Sequence, residues 1–507
     1  MAHKEETARS SFALGGLITG PLVALAVYLL LPTEYRAADE AVSVVVFDSA
    51  GRVTLALLVW MAIWWMTEAV ELATTALLPI VVLPALGAMS ATEAAAPYAH
   101  RLIFLYIGGF IIALSMQRWG LDRRIALNVL RLVGCTPVRM VGGFMIATAV
   151  LSAFISNTAT TAMMLPIALS VVALVREREE TASAFPRRFA VCLLLGIAYS
   201  ASIGGVSTLI GTPPNTFLSG FWNEHQAFSE GREITFASWL PYGLPVTLVM
   251  LPCTWWLLSH RLFRVADDSI EGGYDLVQSE LEKLGPLGAG ERVTLWVFGL
   301  TAVGWMTRPI WGSLSFQLGE RTVSPFVGIS DPVIAMGAAI ALFVIPLGRS
   351  SGKTAMNWET AAKLPWDIIL LFGGGMSLAA AVKANGVAEF IGSQAYRFEG
   401  IPLILMILVV VTAVVFLTEL TSNLATTATL LPVLAALAPG LGMPPLVLII
   451  PATLAASCAF MLPVATPPNA IVFGSREIRL SEMNRAGLWL NGLSILVITF
   501  LGYLIAR

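Results

Sequence analysis

The sequence predicts an all-α polytopic membrane protein that contains a duplicated unit. Of the 507 residues, 57% are hydrophobic and 12% are charged, and the mean hydropathy is +0.80, whereas a soluble domain is about 25% charged. A second observation is a duplicated polar string inside apolar sequence, SNTATTAMMLP at 156–166 and SNLATTATLLP at 422–432. Polar clusters are costly in such surroundings unless they line a site or pair with other buried groups. The sequence therefore predicts a polar site, built twice, within a membrane domain.

Long apolar runs set the predicted number of membrane crossings. Runs of about 20 residues are long enough to cross the hydrocarbon core as helices. About eleven transmembrane helices are expected, at 13–31, 53–69, 73–89, 103–116, 188–222, 240–263, 293–310, 332–346, 368–382, 444–473 and 486–506. Two further apolar stretches, 141–175 and 402–438, carry the duplicated strings near their middles. We predict that each is a re-entrant hairpin, which dips into the membrane and returns to the same side.

Basic residues predict the orientation, because cytoplasmic loops carry an excess of Arg and Lys. The first hairpin is preceded by Arg118, Arg123, Arg124, Arg131 and Arg139, and it is followed by Arg176, Arg178, Arg187 and Arg188. Both flanks are therefore expected in the cytoplasm, together with the N-terminus and its Lys4 and Arg9. The first helix has no convincing small-residue cleavage site and is interpreted as a retained span. We expect an integral protein of a bacterial inner (plasma) membrane.

The internal repeat extends beyond the two polar strings. LYIGGF at 105–110 resembles LLFGGG at 370–375, and the offset of 265 residues nearly equals the offset of 266 between Ser156 and Ser422. Five predicted crossings separate the two copies, and an odd number places the second copy upside down, as in inverted-repeat transporters. The predicted organisation is an N-terminal helix and loop (1–52), a first repeat (53–265) with a broken helix at 188–222, a cytoplasmic linker (266–291), and a second repeat (292–507) with a broken helix at 444–473.

Helix starts inside the membrane predict an anion site. The polar strings offer Ser156, Asn157 and Thr158 in the first copy and Ser422 and Asn423 in the second, all of which suit helix N-caps. Downstream, GTPPN at 211–215 and ATPPN at 465–469 place Thr before Pro, and Pro is favoured in the first helical turn. Unpaired N–H groups and the positive end of the helix dipole attract anions at such starts. Four half-helix starts are expected to converge on one small cavity.

The charge of a bound dianion must be balanced, because these breaks contain no Arg, Lys or His. Backbone carbonyls and Ser, Thr and Asn oxygens of unwound helices suit a cation such as Na⁺. The membrane potential contributes about 2.3 kcal/mol per inward charge per 100 mV, so Na⁺ coupling would both neutralise the dianion and drive its uptake. The net charge of −2 and the dispersed basic residues predict no nucleic-acid partner.

The chain resembles the divalent anion/sodium symporters, which carry dicarboxylates, citrate or sulfate. The resemblance rests on the paired SNT-type strings, the TPPN segments, WWMTEAVELATTALLPIVVLP at 64–84 and AFMLPVATPPNAIVFG at 459–474. It implies a homodimer that moves its transport domains by an elevator mechanism. The implied substrate residues are Ser156, Asn157, Thr158, Ser422, Asn423, Thr466 and Pro467. The implied Na⁺ sites are Ser152, Ser156, Asn157 and Gly205 for the first, and Thr418, Thr421, Asn423 and Ala465 for the second.

Alternatives remain open at this point. Leu424 stands where Thr158 has its counterpart, so the two ends of a C4-dicarboxylate such as succinate, fumarate or malate would be held differently. A Na⁺-independent dicarboxylate exchanger and a sulfate or citrate symporter are rival interpretations. An enzyme is not expected, since no nucleophile or metal motif is found. Glu419, beside the second string, is interpreted either as a peripheral polar contact or as a group near a cation.

Overall fold

The computed structural model describes residues 11–35, 44–134, 136–178, 185–224, 233–265, 273–318, 321–348, 352–395 and 400–506. Within these ranges the chain is mainly helical. The strands there form two antiparallel pairs, β1 (Glu34–Tyr35) with β2 (Val45–Val46) and β3 (Phe316–Leu318) with β4 (Arg321–Val323). The all-α fold class is confirmed. Lys4 and Arg9, which contribute to the predicted orientation, lie outside the described residues, as do positions 266–272 of the predicted linker.

The helices of the N-terminal half run from the first apolar segment to the helix that follows the first break. They are α1 (Ser11–Leu30), α2 (Ser49–Thr67), α3 (Leu72–Thr75), α4 (Leu78–Ala85), α5 (Ala91–Ala95), α6 (Arg101–Trp119), α7 (Leu121–Val133), α8 (Pro137–Ser152), α9 (Asn157–Arg178), α10 (Phe185–Val206), α11 (Pro213–Glu224) and α12 (Phe236–Trp256). A 3₁₀ turn (Ala96–Ala99) leads into α6, and a π-helical turn (Leu257–Leu262) extends α12.

The C-terminal half again contains a helical hairpin followed by a broken helix. Its helices are α13 (Gly273–Leu284), α14 (Ala289–Trp311), α15 (Asp331–Val344), α16 (Trp358–Ala361), α17 (Trp366–Ala384), α18 (Val387–Ser393), α19 (Leu403–Thr418), α20 (Asn423–Gly440), α21 (Leu446–Ala456), α22 (Pro467–Gly474) and α23 (Leu480–Ile505). We call α8 with α9 the first hairpin and α19 with α20 the second hairpin. Helices α10 with α11 form the first broken helix, and α21 with α22 form the second broken helix.

Local signals explain where several helices begin and end. The Asp48 side chain accepts a hydrogen bond from Gly51 N at 2.8 Å and caps the start of α2. Helix α6 ends at Gly120, whose φ of 69° lies in the left-handed region that glycine adopts readily. This turn sends the chain into α7, which carries apolar residues along one side and arginines along the other. The arginine-rich segment before the first hairpin is therefore an amphipathic helix.

Several predicted crossings are shorter or more divided than expected. In the described ranges nine helical segments are long and apolar enough to cross a membrane, and both α9 and α20 are among them. Helix α15 has 14 residues, so it extends about 21 Å against a hydrocarbon core of about 30 Å. Segment 73–89 is divided between α3 and α4, and segment 444–473 between α21 and α22.

The segment predicted as a polar linker contains a helix of its own, α13. This helix packs mainly against α7 and lies beside the first hairpin. Arg123 of α7 forms an ion pair with Glu280 of α13. A hydrogen bond from Lys283, reinforced by Arg123, holds the pKa of the Glu280 carboxyl below its usual value. Arg124 also reaches across to Glu291, with 2.7 Å between its Nε and a carboxylate oxygen, so the two halves are joined by charged contacts at this end.

The two repeats interlock through their broken helices. Helix α10 is buried along its whole apolar length and packs on both arms of the first hairpin and on α22 of the other repeat. In the same way, α11 packs on α20 and α21. Gly204 allows the close approach of α10 to α8, because a Cβ there would overlap the backbone of Ala149. The core of the molecule therefore lies where the hairpins and broken helices of both halves meet.

Candidate functional site

The tip of the first hairpin is organised around the Asn157 side chain. Helix α8 ends at Ser152, whose hydroxyl lies 2.6 Å from Asn157 Oδ1 and 2.7 Å from the carbonyl oxygen of Ala201. Ser156 Oγ accepts a hydrogen bond from Ala159 N at 3.2 Å, which caps the first turn of α9 as predicted. The tip is thus tied both to its own second arm and to the buried helix α10.

The tip of the second hairpin repeats this pattern. Thr418, the last residue of α19, places its hydroxyl 2.9 Å from Asn423 Oδ1 and 2.8 Å from the carbonyl oxygen of Ala456 in α21. Ser422 precedes α20, but its side chain makes no capping hydrogen bond. Each hairpin therefore has a hydroxyl that links an asparagine to the adjacent broken helix.

Two asparagines stabilise the breaks by hydrogen bonds to backbone carbonyls. Neither was among the predicted site residues. Asn215 Nδ2 donates to the carbonyl oxygens of Val206 at 3.2 Å and Thr208 at 2.8 Å. Asn469 Nδ2 donates to the carbonyls of Ala459 at 3.3 Å and Leu462 at 3.0 Å. Both asparagines are buried, and each ends one of the TPPN segments. Their matching positions were the available sequence signal for this role.

The threonines of the TPPN segments differ in how they start their helices. Thr466 Oγ1 accepts a hydrogen bond from Asn469 N at 3.3 Å, so the predicted cap at the start of α22 is present. At the other break it is the backbone carbonyl of Thr212 that accepts from Asn215 N, at 3.2 Å. Pro213 and Pro467 occupy the first positions of α11 and α22, where a missing N–H leaves no bond unmade.

Three of the four residues predicted for the first Na⁺ site lie together in the structure, because Ser152 and Gly205 both contact Asn157. A Cβ built on Gly205 would lie 2.5 Å from Asn157 Oδ1, so only glycine fits here. Ser152 touches the same oxygen. Ser156, one residue before Asn157, is half-buried at the start of the second arm. Hydroxyl, amide and backbone oxygens therefore cluster within one small volume, which suits a hard cation.

The second predicted Na⁺ set is assembled less tightly. Thr418 and Asn423 are in direct contact, whereas the Thr421 hydroxyl lies 2.6 Å from Thr426 Oγ1 and 3.0 Å from Leu417 O within its own hairpin. Ala465 lies in the break and is buried. In the part of the chain that the structure describes, no hydrogen bond joins Thr421 or Ala465 to Asn423.

The predicted substrate residues lie at the starts of helices that pack in pairs across the repeats. Helix α22 packs on α9, which begins at Asn157, and α11 packs on α20, which begins at Asn423. Asn157 and Asn423 are half-buried, as are Ser156 and Ser422. Thr466 is buried, and Thr158 and Pro467 are exposed. Among the described residues no group of three or more His, Cys, Asp or Glu is placed to hold a metal ion. The predicted substrate residues themselves offer neutral oxygens and helix N-termini.

Comparisons with known proteins agree with this architecture. The family model described as "Sodium:sulfate symporter transmembrane region" matches residues 16–506. The chain is 39% identical over 503 residues to a sodium-dependent dicarboxylate transporter, SdcS, of Staphylococcus saprophyticus, with 99% of this chain and 92% of that protein covered. The corresponding SdcS protein of Staphylococcus aureus strain RF122 is 38% identical, with the same coverage.

Two solved structures share the fold at low sequence identity. The YdaH transporter of Alcanivorax borkumensis matches with a TM-score of 0.62 and 15% identity, and 98% of each chain is covered. MtrF of Neisseria gonorrhoeae matches with a TM-score of 0.58 and 12% identity, with 98% of this chain and 95% of that one covered. The family resemblance is confirmed, and with it the transporter class as opposed to an enzyme. The chain belongs to the family defined by the sodium:sulfate symporter transmembrane region.

Proposed function

We propose that the protein imports a C4-dicarboxylate of the succinate, fumarate or malate type together with Na⁺. The observation that carries this proposal is the doubled contact at the hairpin tips, where Ser152 meets Asn157 and Thr418 meets Asn423. Two equivalent clusters of neutral oxygens suit two cation positions on either side of one anion. The printed name of the SdcS relatives, sodium-dependent dicarboxylate transporter, supports this choice of substrate and ion.

In this proposal the two carboxylates of the substrate are held at helix starts. The contacts come from the side chains and N–H groups of the two tips and of the second break. The residues concerned are Ser156, Asn157, Thr158, Ser422, Asn423, Thr466 and Pro467. Thr158 is exposed and offers a hydroxyl, whereas Leu424 at the equivalent position is buried in the core. The two carboxylates are therefore bound by different groups, and the second depends more on main-chain N–H donors.

The cations neutralise the substrate and supply the driving force. The first Na⁺ is assigned to Ser152, Ser156, Asn157 and Gly205, and the second to Thr418, Thr421, Asn423 and Ala465. Each asparagine belongs to both a cation set and the substrate set, so a bound cation fixes the tip that the carboxylate meets. Because of this sharing, a bound cation is expected to raise the affinity for the substrate, and a bound substrate to raise the affinity for the cation.

The interlocked hairpins and broken helices form the moving unit of the proposed elevator. They pack across the repeats, so they are expected to slide together past the remaining helices of a homodimer in a bacterial plasma membrane. Arg176 at the end of the first hairpin and Arg123 of α7 support a cytoplasmic location for this face by the positive-inside rule, and the N-terminus is expected on the same side.

Counterflow in proteoliposomes tests the proposed function. Liposomes loaded with unlabelled succinate receive labelled succinate outside, with Na⁺ present or replaced by choline or K⁺. We expect uptake only with Na⁺, and we expect competition by fumarate and malate but not by sulfate or citrate. Equal uptake without Na⁺ would favour the exchanger, and strong competition by sulfate or citrate would favour a different substrate class.

A further inference from the structure

A buried carboxylate, Glu419, lies at the tip of the second hairpin. It directly follows Thr418 and is only 3% exposed. One carboxylate oxygen accepts hydrogen bonds from Phe460 N at 2.7 Å, from Met461 N at 2.9 Å and from Asn491 Nδ2 at 2.8 Å. The other accepts from Met461 N at 3.1 Å and Leu462 N at 3.1 Å. Every partner is therefore a donor, which suits an ionised carboxylate.

No basic side chain neutralises this group within the described residues, since none of the ion pairs found there includes Glu419. A buried charge is costly unless hydrogen bonds or another charge compensate for it. Here three consecutive backbone amides of the break and one side-chain amide from α23 provide the compensation. The carboxylate thereby joins the hairpin tip, the second broken helix and the last helix at one point.

The first repeat joins its tip to its break without a charge. Ala153 occupies the position of Glu419, four residues before the tip asparagine. Its carbonyl oxygen accepts a hydrogen bond from the Thr208 hydroxyl of the break. Leu462 occupies the position equivalent to Thr208. The carbonyl oxygen of each accepts a hydrogen bond from the TPPN asparagine that lies seven residues later in the chain. A neutral hydroxyl-to-carbonyl contact is thus replaced by an anion that binds backbone N–H groups.

We propose that Glu419 is a positioning residue for the second cation site, an inference that rests on the proposed function. Its carboxylate fixes the break that leads to Ala465, and the residue that carries this charge directly follows Thr418 in the chain. Both effects favour a cation at Thr418 and Asn423, because an opposite charge nearby lowers the energy of the bound ion. The two cation sites are consequently unequal, and only the second depends on a carboxylate.

The test is the Na⁺ dependence of succinate uptake by the full chain in proteoliposomes, with choline replacing Na⁺. Glu419→Gln keeps the size of the side chain and removes the charge. We expect it to raise the half-saturating Na⁺ concentration at least tenfold, while the KM for succinate at saturating Na⁺ stays within threefold. Glu419→Asp keeps the charge and should raise the half-saturating Na⁺ concentration only two- to fivefold. Glu359→Gln, which removes an exposed carboxylate on α16, is the matched control and should change nothing.

A Na⁺ curve for Glu419→Gln that superimposes on the wild-type curve overturns the proposal, as does an equal loss of apparent affinity for Na⁺ and succinate. If Glu419→Gln does not yield folded protein, Glu419→Asp and Asn491→Ala decide the matter. Both retain the charge and loosen the contact, so unchanged Na⁺ curves for both overturn the proposal. A wild-type protein that transports without Na⁺ would instead refute the proposed function itself.

Discussion

The two hairpin tips share the contact between a hydroxyl and an asparagine but differ in the apolar residues around them. Phe154, two residues before Ser156, packs edge-on against Phe298 with ring centroids 5.0 Å apart and stacks near Phe236 at 6.5 Å. Leu420, at the equivalent position before Ser422, is 70% exposed. The first tip is therefore covered by α12 and α14, whereas the apolar side of the second tip is open.

The same difference is found in the two breaks. Ile210 of the first break is partly buried and lies against α6 at Gly109, whereas Val464 of the second break is 84% exposed. The matched polar contacts join each tip asparagine, through a hydroxyl, to the adjacent broken helix. The apolar surroundings are not matched, since the first tip packs against aromatic side chains of α12 and α14 and the equivalent residues of the second repeat are exposed. The shared polar contacts and the unshared apolar contacts can therefore be tested separately.

The strongest test of the hydroxyl–asparagine contact shared by the two tips is removal of either asparagine side chain. Asn157→Ala and Asn423→Ala are each expected to reduce Na⁺-dependent succinate uptake by at least about 100-fold, because each change removes an oxygen shared by a cation set and the substrate set. Uptake is measured in proteoliposomes, and size-exclusion chromatography checks that the protein remains folded. Asn128→Ala, which removes a side chain bonded to Arg124 O on α7, is the control. Normal uptake by both tip variants would refute the assigned site.

A smaller effect is expected from a substitution at Gly205, where the second repeat has the alanine Ala459. Gly205 and Ala459 are equivalent, since the carbonyl of each accepts from the TPPN asparagine ten residues later. A methyl group on Gly205 would press on Asn157 Oδ1, so Gly205→Ala should raise the half-saturating Na⁺ concentration about tenfold. The physical reason is displacement of a ligand oxygen by overpacking.

Ala459→Gly is the matched control, because the second repeat already accommodates a Cβ there. We expect its Na⁺ curve to shift by less than threefold in the same uptake measurement. If the two variants shift the curve equally, Gly205 has no special relation to the first cation site, and the assignment of that site fails.

The helix starts were predictable from the sequence because caps are local signals. The polar strings and the TPPN segments predicted breaks, and α9, α20, α11 and α22 begin at Asn157, Asn423, Pro213 and Pro467. The all-helical membrane class and the family followed from composition and motifs in the same way. Which of these residues bind substrate or Na⁺ stays a prediction.

The contacts of Glu419 and of the TPPN asparagines could not be predicted, because their partners are set by tertiary packing. Glu419 meets amides 41 to 43 residues away and a side chain 72 residues away. Helix α13 was missed for another reason, since the polar and glycine-rich composition of 266–291 suggested an irregular linker. The apolar residues Val277 and Leu281 in its sequence were the available signal, and Val277 is buried.

The smallest expected effect concerns the apolar difference between the tips. Phe154→Ala removes a ring that packs against two aromatic neighbours, which should lower the free energy of unfolding by about 1–2 kcal/mol for a partly buried ring. Leu420→Ala removes a mostly exposed side chain and should change the free energy of unfolding by less than about 0.5 kcal/mol. Thermal unfolding of both variants, in the same detergent and Na⁺ concentration, compares them directly. A larger loss for Leu420→Ala would show that the second tip, not the first, is the covered one.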